Sequence, residues 1–184
     1  MSDRRVFVGS PRRHHPVRWV AGSIGVAMVA LVAALAVSRP ASETLAASPL
    51  IGRRAPEVRG PGVGGGSWQV SQFRGQWVLL NFLASWCVPC QEEMPDLGRF
   101  DAEHARNGDA RVIGVRYDPA DRNLERFLAI HRAAWPVIVD SAAVVAYGVS
   151  GIPESYLIDP QGVVRAKIVG RVDANQVDRV IARS

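Results

Sequence analysis

Cysteine is scarce in this chain: Cys87 and Cys90 are its only two among 184 residues. A small scaffold held together by disulfides needs more pairs at wider spacing, so that class is excluded. Histidine is nearly as rare, with four in all and none after His131. A zinc site built on the two cysteines would have to draw both remaining ligands from His104 and His131. A copper site pairing the cysteines with a distal histidine lacks that histidine. Also missing is an excess of positive charge in the body of the chain. The net charge is +5, and Arg4, Arg5, Arg12, Arg13, Arg18 and Arg39 against Asp3 account for all of it within the first 40 residues. The neutral remainder lacks the broad basic footprint of a DNA or RNA binder, so no nucleic-acid partner is expected. No internal repeat is present. What is abundant is apolar residue, 48% against 21% charged, enough for a hydrophobic core in one domain of ordinary size with short extensions.

The basic tail is followed by an uncharged run from Trp19 to Ser38, WVAGSIGVAMVALVAALAVS. At ~1.5 Å per residue this run spans roughly 30 Å as a helix, one bilayer crossing. Arg and His precede it while Arg39 and then Glu43 follow, so the positive-inside rule places residues 1–18 in the cytoplasm. The expectation is a single-pass anchor over 19–38 in the cell membrane, with everything beyond it on the extracytoplasmic side. A cleaved secretory signal is the alternative, since Ala34-Leu35-Ala36 and Leu45-Ala46-Ala47 offer small residues, although the run exceeds an ordinary signal core. Arg4-Arg5-Val6-Phe7 is similar to a twin-arginine export signal but stands far ahead of the apolar run. Every version exports the folded part.

Residues 39–49 are small, polar and punctuated by proline, which reads as a spacer, and the domain is expected over 50–184. A glycine-rich entry with a hairpin near Gly64-Gly65-Gly66 precedes WVLLNFL, 77–83, a continuous apolar run of strand length. A helix follows the cysteines, with Pro95 expected to kink it and Gly108 to close it. RVIGV at 111–115 reads as a strand, 121–132 as a helix capped by Asp121, and PVIVD at 136–140 as a strand. A short helix ends at Gly148, a strand pair turns at 159–162, and 173–183 forms a last helix. This order gives an α/β fold whose central sheet is parallel in the middle and antiparallel at one edge.

Trp86-Cys87-Val88-Pro89-Cys90 falls between the apolar strand and the helix. A cysteine at a helix start meets unpaired N–H groups and the positive end of the dipole, which favour a thiolate and make Cys87 the nucleophile. Cys90, one turn inside, is more shielded and placed to resolve a mixed disulfide, so the pair can cycle between dithiol and disulfide without a cofactor or metal. A purely structural disulfide across so short a loop would constrain the unfolded chain little. Glu93 stands three residues after Cys90 and shares its helix face. If buried there its pKa rises and it can exchange a proton with Cys90; Glu92 should face solvent. Trp86 either belongs to the surface that meets a partner or packs in the core. Phe82, Tyr147 and Tyr156 are framework.

FLASWCVPCQEEMP resembles the active-site stretch of thioredoxin-like proteins, and specifically of the membrane-anchored, exported thiol reductants of the TlpA, ResA and CcmG (DsbE) type. The resemblance covers about 49–184 and includes GRRAP at 52–56, FRG at 73–75, GIPESYLID at 151–159, and an inserted strand and helix between 111 and 132. It implies a thioredoxin-like fold, a cis Pro153 facing the cysteines, and main-chain hydrogen bonds from Ile152 to a bound polypeptide. It also implies Glu93 as the active-site acid, Glu154 as a residue that tunes the site, and Trp86 and Pro89 beside the pair. Two acids near one thiol pair would raise cysteine pKa values, opposite in sign to the helix-start effect on Cys87. The activity implied is a thiol:disulfide oxidoreductase reducing exported proteins, with the haem-attachment cysteines of apocytochrome c as client and a membrane thiol carrier as electron donor. Other exported clients such as a copper-site assembly protein, a disulfide donor, and a binding module without redox activity are the alternatives. A peroxidase is disfavoured because the Thr-x-x-Cys setting of peroxiredoxins is missing.

Overall fold

The apolar run at Trp77–Leu83 forms β4 at the centre of a six-stranded sheet and is buried on both faces. The structure is a computed structural model, and it describes residues 44–184. The basic tail at 1–18, the anchor expected at 19–38 and the spacer as far as residue 43 lie outside the described residues. Among those that are described, no helix is long and apolar enough to cross a membrane.

Eight strands and four α-helices follow in the order β1 (Thr44–Leu45), β2 (Arg59–Pro61), β3 (Ser67–Gln69), β4, α1 (Val88–Asn107), β5 (Ala110–Arg116), α2 (Leu124–Ile130), β6 (Val137–Ile138), α3 (Ser141–Ala146), β7 (Glu154–Ile158), β8 (Val164–Val169) and α4 (Ala174–Ile181). The large sheet runs β1-β8-β7-β4-β5-β6, and β2 and β3 form a separate hairpin. β4, β5 and β6 are parallel, with α1 and α2 in the crossovers that parallel neighbours require, while β7, β8 and β1 add on antiparallel. The expected parallel centre with an antiparallel edge is therefore observed. β1 is an addition, because Thr44 and Leu45 fall within the expected spacer yet pair with Val169 and Ile168. This pairing covers a sheet edge through backbone groups alone, which composition does not reveal.

Alternation along the strands divides the core into two layers. Leu79 and Leu83 of β4, Val112 of β5, Leu157 of β7 and Ile168 of β8 pack with α1, α2 and α4. Val78, Leu80 and Phe82 pack with Tyr156, Ile158, Ala143 of α3 and Tyr147 at its C-cap. Buried positions in α1 are Cys90, Glu93, Met94, Leu97, Phe100 and Asp101, a 3.6-residue spacing that lays one stripe against the sheet. Each large apolar side chain in that stripe contributes about 1.5–3 kcal/mol by burial. α1 is continuous through Pro95 and closes at Gly108 in the left-handed conformation (φ 73°). Asp101 accepts from the Val112 N–H (2.9 Å) and Arg111 Nε (3.2 Å), fixing α1 to β5.

α2 is shorter than expected, and Asp121 does not cap it. Asn123 holds the cap position without a side-chain bond. The Asp121 carboxylate instead accepts from the N–H and hydroxyl of Ser85, each at 2.6 Å. The same carboxylate accepts from the Asn123 N–H (3.1 Å), so Asp121 ties the start of α2 to a segment 36 residues away.

The far end of α1 is clamped by His104, whose Nδ1 and Nε2 each lie 3.0 Å from a carboxylate oxygen, of Asp109 and of Asp178 in α4. Both nitrogens can donate only in the imidazolium form. Burial acts to lower this pKa, but the bonds to Asp178 and Asp109 outweigh it and hold it above the ordinary 6.5. The clamp's contribution to stability is thus complete below pH 6.5 and lost as pH rises through the elevated folded value. We expect His104→Gln to abolish the part of the alkaline decline in urea midpoint that lies above pH 6.5, measured in steps to pH 8.5.

Candidate active site

β4 ends at Leu83 and α1 begins at Val88, so the four residues between them, 84–87, carry the chain from the middle of the sheet to the helix start. Cys87 is the N-cap of α1, and its sulfur accepts from the Cys90 N–H at 3.2 Å. Pro89 lies in the first turn, where it lacks only an N–H that would have no intrahelical partner. Cys87 and Cys90 are joined as a disulfide. Cys90 is fully enclosed and Cys87 keeps a small exposed edge, which is the order of accessibility expected of an attacking and a resolving sulfur. Trp86 is 56% exposed, so it belongs to the surface and not to the core.

The segment before Cys87 is held from the insertion. In addition to the Asp121 bonds to Ser85, the indole N–H of Trp86 donates to Asp118 Oδ2 (3.0 Å), and Gln91 Nε2 donates to the Ser85 carbonyl (3.2 Å). Of these residues only Trp86 was expected from sequence at the site; Ser85, Gln91, Asp118 and Asp121 were not. Their separations of up to 36 residues leave no local signal.

Glu93 is buried under α1, one turn beyond Cys90. Its Oε1 accepts from Asn81 Nδ2 (2.8 Å) and its Oε2 from the Val172 N–H (2.9 Å). Burial pushes its pKa from 4.5 to about 7, and the bonds from Asn81 and Val172 only partly oppose the rise. Asn81 also donates to Ser155 Oγ (2.9 Å), while its own Oδ1 has no hydrogen-bond partner among the described residues. Turning that amide over would present an acceptor to protonated Glu93. Asn81 was legible in one respect, as the single polar residue in an otherwise apolar central strand. Glu92 faces solvent as expected, paired with Arg171 at 3.2 Å.

Glu154 lies on the other face of the sheet. It pairs with Phe82, whereas Asn81 pairs with Ser155, and successive residues of a strand point to opposite sides. The Glu154 carboxylate is buried between Lys167 Nζ (2.9 Å) and Ser150 Oγ (3.2 Å). Lys167 also lies 5.5 Å from the centre of the Tyr156 ring. Burial acts to lower the Lys167 pKa, and its bonds to Glu154 and Tyr156 outweigh that and raise it. The two acids are therefore kept apart: Glu154 is paired with Lys167, and Glu93 lies on the α1 face with its pKa raised to about 7.

The Ile152–Pro153 peptide bond is cis. Among the described residues, no hydrogen bond reaches the N–H or C=O of Ile152. Pro89, Glu92, Ile152, Pro153, Glu154 and Arg171 are among the residues lining a groove of about 440 Å³. Of the eight expected site residues, Cys87 and Cys90 form the disulfide, Glu93 lies one turn beyond Cys90, and Pro89, Ile152, Pro153 and Glu154 line this groove. Trp86 lines a second groove, next to α2.

Two outcomes follow. A carboxyl group raised from 4.5 to about 7 stabilises the fold fully below pH 4.5 and loses that contribution as pH rises through 7, roughly 3 kcal/mol in all. Glu93→Gln should flatten the urea midpoint of the oxidised protein between pH 4.5 and 7. Lys167→Met leaves a buried carboxylate without its cation and should cost about 3 kcal/mol at neutral pH, with Lys167→Arg recovering part of it; an unchanged melting temperature in Lys167→Met would contradict the pairing.

Comparison with known proteins agrees with this geometry. The model of the AhpC/TSA family matches residues 51–167. The thiol-disulfide oxidoreductase ResA of Bacillus thuringiensis subsp. konkukian is 29% identical over 135 residues, 72% of this chain and 78% of that protein. The crystal structure of a protein from Chlorobium tepidum assigned as thiol:disulfide interchange protein DsbE superposes with a TM-score of 0.65 at 32% identity, covering 72% of this chain and 96% of that one. A DsbF homologue from Corynebacterium diphtheriae, 21% identical with a TM-score of 0.67 over 78% of this chain and 93% of that one, shares the fold. With its thioredoxin-like sheet and a cysteine pair at the start of α1, the chain belongs to the AhpC/TSA family and is a thiol:disulfide oxidoreductase of the ResA/DsbE type.

Proposed function

We propose that this protein is an exported, membrane-tethered reductant of protein disulfides, with apocytochrome c as its client during cytochrome c maturation. The observation that carries the reading is the arrangement of Cys87 at the N-cap of α1, enclosed Cys90 behind it, and buried Glu93 with a pKa of about 7 on the same helix face.

In the reducing cycle the Cys87 thiolate attacks one sulfur of the client disulfide. The client's S–S bond breaks, one client thiolate leaves and takes up a proton, and a mixed disulfide joins Cys87 to the client. Cys90 then passes its proton to the Glu93 carboxylate and attacks Cys87 Sγ, which expels the second client thiolate to be protonated in turn. The client gains two electrons and two protons, and Cys87–Cys90 becomes the disulfide. A membrane dithiol carrier returns two electrons and restores the pair. Helix-start N–H groups favour the attacking thiolate, and neutralisation of Glu154 by Lys167 removes one of the two charges that would oppose it. Ile152 has main-chain donor and acceptor groups to offer an extended client strand, and Pro89 and Pro153 belong to the surrounding surface.

Location rests on the sequence: the apolar run at 19–38 as a single-pass anchor, the basic 1–18 in the cytoplasm, and the domain on the extracytoplasmic side. The relatives named as thiol-disulfide oxidoreductase and as interchange protein support the chemistry.

Cys90→Ala removes the resolving sulfur, so this variant should accumulate a mixed disulfide on Cys87 in cells, and mass spectrometry of the trapped adducts should recover c-type apocytochromes. Consistent recovery of another exported client would replace the proposed substrate. Turnover surviving in Cys87→Ser would overturn the redox reading as a whole.

A further inference from the structure

The chemistry just proposed engages the groove beside Ile152 and Pro153 and makes no use of a second one on the α2 side of Trp86. That second groove has a volume of about 520 Å³ and is lined by Trp86, Gln91, Arg126, Phe127, Ile130 and His131, among others. Three large apolar side chains around Cys87 and this groove are more than half exposed: Trp86 at 56%, Val88 at 60% and Ile130 at 66%. Exposed apolar side chains clustered at a reactive sulfur are what a surface for another polypeptide requires. Trp86 is fixed in that position, because Asp118 holds its indole N–H at 3.0 Å. An aromatic anchor that is already ordered loses little freedom on binding.

The charge of the groove is one-sided. No carboxylate is among its lining residues, whereas Arg126 is. The acids nearby in the chain are already engaged: Asp118 accepts from the Trp86 indole, Asp121 accepts from Ser85, and Glu125 lies toward Gly64 in the β2–β3 turn. Among the described residues, Arg126 has no salt-bridge partner. The groove beside Pro153 differs, since Glu92, Glu154 and Arg171 line it. Trp86 borders one groove and Pro89 the other, so Cys87 stands between a groove lined by an arginine with no salt bridge among the described residues and one whose carboxylates are paired.

We propose that the groove between Trp86 and α2 docks an acidic segment of the disulfide-bearing protein. An apolar side chain of that segment would lie against Trp86, Phe127 and Ile130, and its carboxylates would meet Arg126 and His131. The inference rests on Cys87 as the attacking sulfur and adds which client sequences reach it fastest: those with acidic and apolar residues flanking the disulfide. Charge complementarity of this kind acts mainly on the rate of encounter and on choice among partners.

The test uses the full chain in detergent, reduced beforehand, and two peptides that each hold one internal disulfide. One carries Glu-Glu-Leu beside a cysteine, the other Lys-Lys-Leu. Single-turnover rate constants for formation of the peptide dithiol should favour the acidic peptide by about three- to tenfold at low ionic strength, a preference that shrinks as salt is added. Arg126→Glu should reverse the order. Arg106→Glu, at the far end of α1 and about 28 Å of helix from Cys87, should keep the original order. Equal rates for the two peptides, or the same change in both variants, would overturn the proposal. So would a concentration-dependent dimer in sedimentation that disappears in Ile130→Glu, since a second copy would then fill the groove. Loss of all turnover in Cys87→Ser is expected in every case, and its retention would strike the redox reading itself and not the docking site.

Discussion

Burial of one stripe of α1 against the central strand sets where every other part of the site can be. With Cys90, Glu93, Met94, Leu97 and Phe100 packed inward, the helix can begin only where β4 ends, and Cys87 becomes its N-cap. The same packing encloses Cys90 and brings the Glu93 carboxyl against Asn81 of β4 and the Val172 N–H beyond β8. One apolar contact surface thereby yields a sulfur at the edge of solvent, a second sulfur behind it, and an acid whose proton affinity is set by lack of water.

The sheet then keeps the acids apart. Strand alternation sends Asn81 and Ser155 to the α1 face and Phe82 and Glu154 to the other, where Lys167 and Ser150 receive the carboxylate. A buried carboxylate left without its cation near the cysteine pair would disfavour a thiolate there. Paired with Lys167, Glu154 contributes a fixed, neutralised contact to the Ser150–Pro153 loop, while Glu93 stays free to change its protonation state near neutral pH. Of the two acidic charges that the sequence sets against the helix-start effect on Cys87, the one on Glu154 is paired in the folded chain.

Much of the architecture was legible because its signals are local. WVLLNFL announces a strand covered on both sides, the spacing of Cys90, Glu93, Met94 and Leu97 announces the inward face of a helix, and Gly108 and Gly148 mark the ends of α1 and α3. Glu93 was found because three residues along a helix is a geometric relation fixed by the helix itself. The remaining parts of the site depend on partners that only the tertiary fold brings together. Asp121 reads as a helix cap until Ser85 is placed beside it, and Lys167 has no visible role until β8 lies against β7. The pairing of Thr44 and Leu45 with β8 involves backbone groups that any sequence carries, so a polar, proline-punctuated stretch read as spacer forms an edge strand.

Under the proposed function, enclosed Cys90 and Cys87 at a helix start, with buried Glu93, give electrons to protein disulfides. The most direct test is the reduction potential of the Cys87–Cys90 couple, obtained at pH 7 by equilibration with dithiothreitol buffers and quantified by thiol alkylation. The account predicts a value toward the reducing end, near the roughly −270 mV of thioredoxin. A value near the roughly −120 mV of a strong oxidant would contradict it and assign the protein to the donation of disulfides.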